Sequence, residues 1–118
     1  MLITTEYHQS FWVDMADSKF FVCPLTGTEE HKIDAEHTTM EAGRQVIDVP
    51  AIRAEKFCKV VKDWTNVNDL ENKEVKYTDN MRDKFADFNP DFAELVIQKA
   101  RHRILAKEKE ENESLGKQ

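Results

Sequence analysis

Phe11, Val13 and Met15 alternate with polar positions apart from Trp12, and Ala16 to Ser18 supplies turn chemistry before a second apolar run, Lys19 to Cys23. Pro24 to Gly27 reads as a second turn. From Glu29 to Glu36 the chain alternates loosely around His31, Ile33 and Ala35, which predicts a third, half-exposed strand. Val46 to Val49 predicts a short fourth. Together these make an antiparallel β meander over about residues 10–49.

A different period takes over at Pro50. Proline suits the first helical turn, and Asp48 puts an acid at the positive end of the dipole. Phe57, Val60, Val61 and Trp64 fall at i, i+3, i+4 and i+7, one amphipathic stripe. Thr65 to Lys76 is polar and predicts a loop. Thr78 is placed as an N-cap, with Asp79 in the first turn and Met81, Phe85 and Phe88 as a second stripe. Asn89-Pro90 ends that helix and starts the next, whose face is built on Ala93, Ile97, Ala100 and Ile104 and broadened by Phe92, Leu95, Val96 and Leu105. The expected fold is α+β: a short N-terminal antiparallel β meander followed by three helices (about 50–106) sharing one core. The domain spans 1–106, and 107–118 is a charged extension without an apolar stripe. Trp64 is the expected core anchor, with Phe57, Val61, Phe85, Phe92, Val96 and Ile104 around it.

Length and charge narrow the function. A chain of 118 residues supports one compact domain. A net charge of −6 would repel a polyanion, which argues against nucleic acid as the partner. No stretch approaches the ~20 apolar residues of a membrane span. Met1 to His8 has neither the basic start nor the apolar run of a signal peptide, so a cytoplasmic protein is expected. Cys23 and Cys58 both lie in apolar surroundings, which favours two buried reduced thiols over a disulfide.

Little in the chain suggests chemistry. Cys23, His31 and His37 could face one another across the meander, but they lack the close ligand pairs of zinc sites, and His8 and His102 read as surface residues. The segment 63–71 is rich in oxygen ligands without the glycine and terminal Glu of a calcium loop, so Asn and Asp side chains bonding their own backbone are expected instead. The glycines are isolated, and Ser10, Ser18 and Ser114 have no nucleophile context. Cys58 reads as core beside Phe57, and Glu29 with Glu30 as exposed carboxylates. No enzyme, metal or cofactor is expected.

The aromatic residues are more informative. Adjacent Phe11-Trp12 and Phe20-Phe21 put large rings on both faces of a hairpin, whereas a one-sided hairpin buries alternate positions only. Either the domain covers the second face, alone or with a copy of itself, or Trp12, Phe20, Phe21 and Phe11 include a partner-binding surface.

The order of features in the second half adds a resemblance. Val61 to Trp64, the Asn/Asp-rich 66–69, a turn at Lys73, Tyr77 to Asn80, Phe85, Asn89-Pro90 and a charged helical tail follow one another as they do in small tail-assembly chaperones and related morphogenesis proteins of long-tailed bacteriophages. The likeness covers roughly 46–112. It departs at Glu71-Asn72, where that family often has glycine, although Asn also tolerates a left-handed backbone. The resemblance implies escort of the helical, aggregation-prone tape-measure protein while tail-tube subunits assemble. It also implies a longer form made by ribosomal slippage near Gly116-Lys117, against the plainer reading that Gly116 caps a fraying helix. The competing expectation is a virion component, a head–tail connector or tail-completion subunit, which would associate with itself. Less favoured is a small inhibitor of a host enzyme.

Overall fold

The computed structural model describes residues 10–101. Strands β1 (Phe11–Met15) and β2 (Ser18–Val22) form the predicted hairpin, with Val13 opposite Phe20. Its two-residue turn needs a positive φ at Ala16, a conformation that disfavours Cβ. β5 (Val61–Thr65) pairs antiparallel with β2, giving a sheet ordered β1-β2-β5.

The expected third strand is instead a helix, α1 (Gly27–Glu36). Thr26 and Glu29 form a reciprocal capping box: the hydroxyl accepts from Glu29 N and the carboxylate from Thr26 N, both at 3.1 Å. Of the three alternating positions only Ile33 is buried; His31 and Ala35 are exposed. The alternation was too loose to outweigh the cap. The short fourth strand expected over Val46 to Val49 lies earlier, as β4 (Arg44–Ile47), which pairs with β3 (Thr38–Glu41) in a separate ribbon. A positive φ at both Ala42 and Gly43 turns it back, as a type I′ two-residue loop requires. There is thus no single meander.

α2 (Val49–Val60) starts at Asp48, whose carboxylate caps Ala51 N at 3.2 Å, and buries Phe57 and Val60. It ends before Trp64. Val61 and Trp64 belong to β5, and the helical spacing is coincidental. Register shifts between Phe21 opposite Asp63 and Val22 opposite Val61, leaving Lys62 as the extra residue of a bulge. A regular strand would send residues three apart to opposite faces. The bulge returns both Val61 and Trp64 to the core.

α3 (Asp79–Phe88) is capped by Thr78, which accepts from Met81 N at 3.0 Å. The fourth helix, α4, covers residues 90–101. The fold is α+β with antiparallel sheets and four helices among the described residues. The core lies between the three-stranded sheet and helices α2 to α4. It joins Val13, Met15, Phe20, Val22, Val61 and Trp64 to Phe57, Val60, Ala86, Ala93, Val96, Ile97 and Ala100. Burying a ring such as Phe57 contributes about 1.5–3 kcal/mol. Ala93, Val96, Ile97 and Ala100 form an i, i+3, i+4, i+7 stripe whose small residues let α4 approach closely. Phe92, expected in the core, and Leu95 flank it and stay exposed at 42% and 47%. Ile104, Leu105, His8, His102, Ser114 and Gly116-Lys117 lie outside the described residues.

Candidate functional site

Strand parity sorts the four candidate aromatics. Phe20 (1% exposed) belongs to the core, and Phe11 packs half-buried against it, so neither is a free binding ring. Trp12 and Phe21 face the other way, directly opposite each other, with ring centroids 5.1 Å apart. Trp12 is exposed and Phe21 half-buried. Asp14 opposite Lys19 continues that outer face. The second face therefore holds two large rings.

Trp64 anchors the core as expected and does a second job. Its ring meets Phe20, Tyr77 and Phe85 at centroid separations of 6.0, 5.2 and 5.6 Å. Its indole Nε1 donates to Val75 O at 2.8 Å, tying down the loop that follows β5. That loop is shaped by its own side chains. Asp69 Oδ1 accepts from Glu71 N and Lys73 N, each at 2.9 Å, and Asn72 takes φ 63°. Val75 N donates to Val67 O at 2.7 Å, closing its base. Asn72 holds the left-handed position where glycine would be at home.

Between this loop and α3 runs an apolar groove of about 460 Å³. Trp64, Val67, Val75 and Phe85 form its inner wall, and Leu70, Met81 and Phe88 its exposed edge. Asn68, Asp69, Lys84 and Asn89 add polar groups. Of the predicted stripe Met81, Phe85 and Phe88, only Phe85, the member expected in the core, turns inward; Phe88 is 77% exposed and Leu70 fully so. Stripe spacing alone does not say which of the three side chains is covered. Val67, Leu70 and Val75, apolar residues in an otherwise polar loop, were the signal available.

The remaining titratable groups look structural. Neither Cys23 nor Cys58 is in a disulfide, and both are half-buried where full burial was expected. The Cys58 pKa is pushed up to about 11 by burial and by Asp83, whose Oδ1 lies 3.0 Å away, which leaves little thiolate. His37 Nε2 donates to Glu55 Oε2 at 2.7 Å, clasping the end of α1 to α2. Among the described residues no His, Cys, Asp and Glu side chains gather into a metal site, so Cys23, His31 and His37 are not brought together. No helix among them is long and apolar enough to cross a membrane.

A family model described as YdaY prophage protein matches residues 29–117. The chain belongs to the YdaY prophage protein family. No curated protein and no solved structure matches it. The YdaY match fixes a phage-related origin, and its description names no activity. It begins after β1 and β2, so Trp12 and Phe21 lie outside it while every groove residue lies within.

Proposed function

We propose that this YdaY-family chain is a protein-binding module without chemistry of its own, and that the α3 groove receives an amphipathic helix of a phage tail protein. In its specific form the reading is a tail-assembly chaperone, which escorts the tape-measure protein in the host cytoplasm while tail-tube subunits assemble. One observation carries it: Leu70 and Phe88 stand exposed along a preformed apolar groove inside the family-matched part of the chain. Covering each of these side chains would contribute about 1.5–3 kcal/mol. An apolar client stripe at i, i+3, i+4 and i+7 fits such a groove, and the chain's net charge of −6 keeps the uncovered remainder soluble.

Co-expression with the tape-measure protein of the same prophage tests the idea. The client should stay soluble and co-purify with the native chain. It should precipitate beside Leu70→Asp/Phe88→Asp, while Trp12→Ala still protects it. Equal protection by the Leu70/Phe88 variant would sink the groove reading. A connector or tail-completion role draws on a different part of the molecule, the β3–β4 ribbon.

A further inference from the structure

The β3–β4 ribbon stands almost free of the domain. Apart from half-buried Thr38 every residue of both strands is exposed, including Met40 at 68%, Val46 at 41% and Ile47 at 53%. Two isolated strands are marginal in water; more strands or a covering helix are usually needed.

The ribbon's hydrogen-bond phase is fixed at its base, where Asp48 N donates to His37 O at 2.9 Å. Bonded and non-bonded pairs alternate along an antiparallel ladder. Val46 and Arg44 therefore bond inward to Thr39 and Glu41, while Gln45 and Ile47 turn N–H and C=O to the outer edge. Among the described residues no strand pairs with that edge.

We propose that this edge joins two copies of the chain, β4 pairing antiparallel with β4 of a second copy about a two-fold axis at Val46. In this register Gln45 meets Ile47 of the second copy, so the outward groups of each exchange hydrogen bonds. Val46 packs on Val46 of the second copy. Arg44, which makes no ion pair among the described residues, comes opposite Asp48 of the second copy, and symmetry repeats each contact. Among the described residues the Asp48 carboxylate accepts one hydrogen bond, from Ala51 N, and keeps capacity for a guanidinium. A slip of one residue sets Arg44 against Ile47 and loses the charge match. β3 offers no such complement, since its only charge is Glu41. Pairing β3 with β4 of another copy would give an open chain of molecules, whereas β4 with β4 closes as a dimer. The groove is not involved, so the two proposals stand or fall separately.

Sedimentation of the full chain should show a monomer–dimer equilibrium, sampled up to about 1 mM because so small an interface is weak. Gln45→Pro removes an N–H from the open edge only, and Arg44→Gln removes the charge match to Asp48 of the second copy without setting an acid opposite Glu41. Each should raise the dissociation constant at least about tenfold without lowering the melting temperature. Val46→Cys should form a disulfide-linked dimer on mild oxidation, faster than the parent chain or Thr39→Cys, whose thiols would lie about 14 Å apart across the four-stranded sheet. A monomer at every concentration, or Val46→Cys linking no faster than Thr39→Cys, overturns the proposal.

Discussion

Trp64 fills the core with its ring and holds the following loop with its indole N–H, so two substitutions at one position separate those roles. Trp64→Ala should cost about 3–5 kcal/mol in a denaturant melt, mostly through the cavity it leaves. Trp64→Phe keeps much of the packing but leaves Val75 O without its donor, for about 1–3 kcal/mol. A loss under about 1 kcal/mol for the alanine variant would mean that the ring is not the keystone of this core. Its burial was legible from spacing although its secondary structure was not. Val61 and Trp64 stand three apart on one face in a helix, and also in a strand that bulges at Lys62. The sequence pattern is the same in both cases, and only the pairing with β2 distinguishes them.

At the scale of elements, local chemistry was the better guide wherever it involved caps and turns. Asp48, Thr78 and the β1–β2 turn fell where expected, because each is a contact between near neighbours in sequence. The capping box of α1 is equally local, and it overrides the loose alternation that predicted a strand. The groove was not legible, because it needs the loop and α3 to be placed side by side. α1 and α2 are held together by Lys56 reaching Asp34 at 3.1 Å and by the His37–Glu55 clasp. The hydrogen bond from His37, helped by the Lys59 ammonium, holds the Glu55 carboxyl below the usual carboxylate range despite some desolvation. Ionised Glu55 therefore stabilises the fold above its ordinary value of about 4.3, and that gain fades as pH falls through the lowered one. In urea melts across this range the native chain should lose stability toward Glu55→Gln, the gap closing in acid. A gap that stays constant with pH would show that the clasp is not electrostatic.

For the molecule as a whole, the acidic surface and the apolar groove predict a characteristic salt response. If a client helix binds by its apolar stripe with charges only at the rim, added salt should slow association modestly and leave a measurable complex. Complete loss near physiological ionic strength would point to a purely electrostatic partner. The fold also separates its two tryptophans cleanly. Trp12 lies in water on the outer sheet face, while Trp64 is buried beside the groove with its N–H bonded. The chain thus carries two built-in fluorophores of different colour, red-shifted and quencher-accessible for Trp12, blue-shifted and shielded for Trp64. A client entering the groove should perturb the blue component alone, and a partner on the sheet should protect the red one from acrylamide. With Trp12→Phe and Trp64→Phe to assign the bands, a single titration reports which face of this protein its partner has found.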